Sequence, residues 1–199
     1  PYNNVYLSDP RKTPKGKLPY ITDDQTTLAD THFIIEHLKA THDIDHHLTA
    51  QQRATQRAHQ HLLEDHVYWV MVYSRWFEPT NWSIVKDVYF SDMPVPMRCI
   101  VPALLKRKMK AALQQQGLGR HAAKDIYHQG KQSLTALATT LGDQRYFFND
   151  QPSSLDAIAY GMLASILHPP LASPLRDHAA KQPGLVQFCE NMTATHFQD

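Results

Sequence analysis

The stretch Gly16-Lys17-Leu18-Pro19-Tyr20-Ile21-Thr22, with Asp30-Thr31 following nine residues after Ile21, decides how the chain is read. Leu18 to Thr22 has the β-branched and aromatic content of a short strand, but a proline sits inside it. Proline cannot donate to a ladder, so such a strand is an edge, or its Leu18-Pro19 bond is cis. Asp23-Asp24-Gln25 is a turn, and Thr26-Thr27-Leu28 is a further short strand. Asp30 or Thr31 then caps a helix that runs to about Lys39, with Phe33, Ile34 and Leu38 on its inner stripe. Upstream, Asn4-Val5-Tyr6-Leu7 reads as a strand and Ser8 to Lys17 as a Pro/Lys-rich loop. The first forty or so residues are thus a small β-plus-helix piece, too short to hold a core by itself.

Downstream the pattern changes to helices. His42 to Leu48 is a polar connector. Thr49 and Gln52 then form a T-x-x-Q capping box ahead of a long helix to about Phe77. That helix carries Ala50, Ala54, Ala58 and Leu62 on one face and is apolar all round from Val67 to Val72. Further helices are expected over 81–90, 98–116, 120–141, 153–167, 174–182 and 184–195. Breaks fall at Met93-Pro94-Val95-Pro96, Gly117, Gly142 and Pro169-Pro170. Ser153-Ser154-Leu155-Asp156 is an S-x-x-D capping box at the start of an apolar helix, which gives Ser153 and Asp156 a structural role.

Composition narrows the function. Twenty Lys+Arg against nineteen Asp+Glu leave a formal charge of +1, so a dedicated nucleic-acid binder is excluded. No apolar run approaches the ~18 residues needed to span a bilayer. Two cysteines ninety positions apart, Cys99 and Cys189, make neither a disulfide framework nor a metal knot. Both neighbour apolar residues and are expected to be buried. A reducing, cytoplasmic location fits this usage. Thirteen histidines invite a metal site, but His42, His46, His47, His59, His61, Asp65 and His66 show no HExxH spacing and no third ligand. They are assigned to solvated polar faces, with no metal.

Taken together, Gly16 to Ile21, the Asp30-Thr31 pair, Ser153 to Asp156, Glu64-Asp65-His66-Val67-Tyr68-Trp69, Tyr73-Ser74-Arg75-Trp76 and Gly119-Arg120-His121 resemble the glutathione transferase superfamily. The wording is similar to its failed-axon-connections and metaxin-like branch. The resemblance covers essentially the whole chain. It implies an α+β two-domain fold. Residues 1–41 would be a thioredoxin-like N-terminal domain lacking its first strand and helix, and residues 49–199 an all-α C-terminal domain. The chain opens Pro1-Tyr2, and the missing strand-loop-helix, with the family's thiol-activating residue, is expected upstream of Pro1. The catalytic residue is therefore unassigned.

The resemblance further implies glutathione as ligand or co-substrate. Leu18, ahead of a cis Pro19, would present its backbone to the cysteinyl moiety. The helix start at Thr31 would receive the γ-glutamyl carboxylate on free N–H groups and the positive end of the helix dipole. Asp30 would face the ammonium, and Lys17 a glutathione carboxylate. By itself Asp30-Thr31 reads as an ordinary helix cap, and that reading stays open beside the ligand contact. Tyr68, Tyr73 and Arg75, with Trp69 and Trp76 on the same helix, are candidates for a second-substrate pocket that takes a small hydrophobic electrophile; an aromatic stripe at this spacing is more often core than pocket, and Trp69 and Trp76, seven apart on one face, are assigned to the core. A homodimer is implied. Two functions follow: a glutathione-dependent enzyme conjugating or reducing small electrophiles, or a non-catalytic binding or scaffold module on the same fold.

Overall fold

Residues 3–7 and 12–197 are described by the structure, a computed structural model. The chain divides into two compact units, one up to His47 and one from Leu48.

In the first unit, β1 (Tyr20–Asp23) and β2 (Thr26–Ala29) pair antiparallel, with Tyr20 opposite Ala29 and Asp23 opposite Thr26. Asp24 takes the left-handed turn position at φ 50°, which Asp tolerates better than most residues. Leu18-Pro19 is cis. Pairing starts only at Tyr20, since Pro19 has no N–H to offer. Helix α1 (Thr31–Lys39) packs on both strands, with Ile34 and Ala29 buried. His37 Nε2 lies 2.7 Å from Asp23 Oδ2 and ties the end of α1 to the hairpin turn. Asp45, fully buried, accepts from Lys39 Nζ at 3.3 Å.

One sequence expectation fails here. Asn4 to Leu7 forms no strand, and Val5 and Tyr6 are exposed at 78% and 92%. A strand needs a neighbour for its N–H and C=O groups, and none of the described residues pairs with it. Of the expected Ser8–Lys17 loop, residues 8–11 lie outside the described residues.

The second unit opens with α2 (Ala50–His61), capped by the reciprocal Thr49–Gln52 box. A π-helical turn, Leu62–Val67, joins it to α3 (Tyr68–Phe77). The expected single helix is therefore continuous but widened at its middle, where the Tyr68 N–H bonds the Leu63 carbonyl five residues back. Then come α4 (Pro79–Phe90), α5 (Val95–Gln116), a 3₁₀ turn at Leu118–Arg120, α6 (Ala123–Leu141), α7 (Ser154–Leu167), α8 (Pro174–Ala180) and α9 (Pro183–His196). Proline occupies the first or second position of α4, α5, α8 and α9, where a missing N–H costs nothing.

The core lies around α7. Leu155, Ala159 and Leu163 are fully buried together with Leu63, Val67, Leu175 and Leu185. Gly130 lets α6 approach closely: a Cβ there would stand 2.8 Å from Val70 Cγ1. The cap of α7 is a buried polar knot. Asp156 Oδ2 accepts from the Ser153 N–H at 2.7 Å and from its hydroxyl at 2.6 Å; Oδ1 accepts from the Phe147 N–H at 2.9 Å. Burial pushes the Asp156 carboxyl up, against these donors, which pull it down. Gln56 of α2 donates to Ser154 and fastens the two helices.

Candidate functional site

The residues singled out in the sequence fall in two places, one in each unit. In the first unit the chain reaches β1 through a tight turn. The Gly16 N–H bonds the Thr13 carbonyl at 3.1 Å, with Gly16 at φ 64°, a conformation that glycine adopts without a Cβ penalty. The Thr13 hydroxyl donates to the Lys17 carbonyl at 2.8 Å. The segment is thereby held by its own backbone, and Leu18 emerges half-exposed. Neither the N–H nor the C=O of Leu18 has a partner among the described residues. Backbone groups left open in this way are what a peptide ligand pairs with.

At the far end of the hairpin, Asp30 sits at φ 88°, a costly conformation for a non-glycine residue, and caps α1. Its Oδ1 accepts from the His32 N–H at 3.2 Å. Thr31 and Phe33, the other early residues of the helix, keep N–H groups without partners among the described residues. One amide at this helix start is thus taken by the protein's own carboxylate, and two remain open. Lys17 is exposed.

In the second unit the three proposed pocket residues separate. Tyr68 is exposed and meets Trp69 edge-on at 5.4 Å. Tyr73 stacks on Phe77 at 5.6 Å and meets Tyr127 edge-on at 5.8 Å. Burial, and then the charge of Glu78, push its hydroxyl pKa up. Tyr127 donates to Glu78 Oε1 at 2.7 Å. Arg75 alone of the three lines a cavity of about 570 Å³ between α3, α4 and α5. Its Nη2 donates to the Ser165 carbonyl at 2.7 Å.

Trp76, Val85, Phe90, Leu105 and Met109 supply the apolar walls, and Lys108 adds a second cation. Of these partners of Arg75, sequence reading picks out Trp76 alone. The signal was present in α5: Leu105, Lys108, Met109 and Ala112 recur at three- and four-residue spacing, which puts them on one helix face.

His46 and His47 meet edge-on at 5.6 Å, and other histidines bond to separate partners. His61 Nδ1 bonds Asp65 Oδ2 at 2.7 Å, His66 bonds Ser133 and His59 bonds Thr140. Among the described residues no three His, Cys, Asp or Glu side chains converge. Cys189 is buried, but Cys99 is exposed, against expectation. It lies in the first turns of α5, where Val95, Met97 and Ile100 are exposed as well. Apolar neighbours in sequence do not bury a residue when the helix face has nothing packed on it.

Comparison with known proteins identifies the family. The family model "Glutathione S-transferase N-terminal domain" matches residues 1–81, and "Glutathione S-transferase, C-terminal domain" matches residues 130–192. Human Metaxin-2 is 30% identical over 204 residues, covering 99% of this chain and 74% of its own length. The chain belongs to the metaxin-like branch of the glutathione transferase superfamily. Human Metaxin-1 is 31% identical over 96% of the chain, and Failed axon connections from Drosophila melanogaster is 29% identical over all of it. The chain spans 43% of that Metaxin-1 and 51% of the fly protein. This metaxin-like chain therefore has a glutathione-transferase-like fold, a thioredoxin-like part followed by an all-α part. Residues 82–129, which include most of α4 and all of α5, lie between the two matched segments.

Proposed function

We propose that the protein binds glutathione, or a peptide with the same cysteinyl and γ-glutamyl groups, at Leu18 and the start of α1. The observation that carries this is the pair of open backbone groups on Leu18 together with the unpartnered N–H groups of Thr31 and Phe33. A tripeptide thiol has an amide to pair with the first and a carboxylate to place on the second. The Thr31 hydroxyl adds a hydrogen bond, the Asp30 carboxylate pairs with the ammonium, and Lys17 meets the second carboxylate. Conjugation or reduction of a small hydrophobic electrophile further requires a donor that holds the thiol as thiolate, since a free thiol titrates near pH 8.5. A homodimer, as in glutathione transferases, completes this reading.

The test is thermal unfolding with and without glutathione. With a dissociation constant of about 1 mM, 10 mM ligand stabilises by about 1.4 kcal/mol. That corresponds to a rise in Tm of about 3–5 °C. Thr31→Pro keeps the helix, because proline suits its first position, but removes both the N–H and the hydroxyl. It should unfold at the wild-type temperature and show no response to glutathione. A wild-type protein indifferent to 10 mM glutathione, reduced or S-methylated, refutes the reading.

A second reading is a binding module without chemistry. It is favoured by α5, where Val95, Met97, Ile100 and Leu104 are all more than half exposed. Such a patch is the usual mark of a surface that another protein covers.

A further inference from the structure

The cavity between α3, α4 and α5 has a chemistry of its own. We propose that it is a binding site for an amphipathic anion, a molecule with an extended apolar body and a single negatively charged head such as a medium-chain carboxylate. This site is separate from Leu18 and Thr31 and does not depend on the glutathione reading.

Its volume of about 570 Å³ lies within the usual range for small-molecule sites. Its walls are side chains that an alkyl or aryl body would dehydrate, with Trp76, Phe90, Leu105 and Met109 foremost. Its only charged lining residues are Arg75 and Lys108, both cations. Neither makes an ion pair among the described residues.

Arg75 is half-buried, and its Nη2 bond to the Ser165 carbonyl fixes the guanidinium in place. That bond occupies one of five N–H donors and leaves an edge for a carboxylate. Lys108, exposed, supplies a second positive charge at the same cavity.

These features select one ligand class. A neutral apolar molecule would fill the space but dehydrate Arg75 without an acceptor in return. A cation would be repelled by both residues. A small inorganic anion would leave the apolar walls in contact with water. An amphipathic anion satisfies walls and cations together. Val85, Phe90, Leu105, Lys108, Met109 and Ala112 all fall within residues 82–129, outside both matched family segments.

The experiment follows displacement of the fluorescent anion 1-anilinonaphthalene-8-sulfonate from the full chain by monomeric decanoate, decanol and decyltrimethylammonium. Decanoate should displace the probe at a concentration about tenfold lower than decanol, and the ammonium should be weakest. Lys108→Gln, a surface change, should weaken decanoate about fivefold and leave decanol unchanged. Ala112→Phe should fill the cavity and abolish displacement by both, with circular dichroism reporting the fold.

Equal displacement by decanoate and decanol overturns the proposal. So does a Lys108→Gln protein that keeps the full preference. Sedimentation with phosphatidylglycerol vesicles identifies the source of the amphiphile. Vesicle binding that decanoate competes away supports a membrane lipid, and decanoate binding without sedimentation supports a free amphiphile. Sedimentation of a protein whose bound probe decanoate does not displace means surface adsorption, and the cavity proposal falls.

Discussion

Replacing Asp156 tests the fold at its most concentrated polar point. The carboxylate is fully buried and accepts three hydrogen bonds, from the Phe147 N–H, the Ser153 N–H and the Ser153 hydroxyl. In Asp156→Ala the hydroxyl can turn elsewhere, but the two N–H groups are stranded away from water. Each stranded donor costs about 1–3 kcal/mol, so the loss is about 2–6 kcal/mol. Asp156→Asn keeps the shape and one acceptor oxygen. Its NH₂ must face either the Phe147 N–H or the Ser153 pair, which strands one donor and costs about 1–3 kcal/mol. Ser153→Ala removes only the hydroxyl bond and costs about 0.5–2 kcal/mol.

Urea unfolding of the full chain reads these values. With a slope of about 2 kcal/mol per molar, a loss of 2 kcal/mol lowers the midpoint by about 1 M. The acid side adds a second signature. Burial raises the Asp156 carboxyl above its ordinary 3.8. Above that ordinary value the folded protein still holds a proton that the unfolded chain has released. Stability contributed by Asp156 therefore falls as the pH climbs through this window. Asparagine does not titrate, so the advantage of aspartate over asparagine should be largest near pH 4 and shrink on going to neutrality. An Asp156→Asn protein as stable as wild type, or a gap that widens with pH, refutes the reasoning.

The two cysteines should behave oppositely toward a thiol reagent. Burial, then the charge of Glu190, pushes the Cys189 thiol up to about 12, whereas Cys99 is exposed. One thiol should react in the native protein and two after denaturation; two rapid native equivalents would contradict the burial. Gly130→Ala should cost about 1–2 kcal/mol despite alanine's better helix propensity. The new methyl would meet Val70 at 2.8 Å and Leu175 at 3.0 Å. A raised Tm for this variant would show that α6 has room to move.

Local chemistry made most elements legible. The Thr49–Gln52 and Ser153–Asp156 boxes and the hairpin turn at Asp24 each announce themselves within four residues, whereas Pro79, Pro96 and Pro183 open helices that the sequence starts one to two residues after the proline. Asn4 to Leu7 misled because a strand is a relation between two segments, and alternating residues do not reveal whether a neighbour exists. Exposure of Cys99 was hidden for the same reason: the apolar composition of early α5 resembles a core helix, and only packing shows its faces uncovered. The cavity needed side chains from α3, α4 and α5 at once. In the sequence Arg75 is only one of three pocket candidates, and Lys108 is one cation among several from Lys106 to Lys110.

The widened turn at Leu62–Val67 has a consequence for how this chain can vary. One surplus residue is accommodated there without breaking the rod from Ala50 to Phe77. Excising a single amino acid from that turn would give an ordinary α-helix, and everything beyond would swing by about 100° around the axis. Val70 would then take the half-buried place of Trp69, and Tyr68 the fully buried place of Val67. The bulge is thus a phase correction, and the spacing between Gln60 and Val70 is as constrained as the identity of any side chain between them.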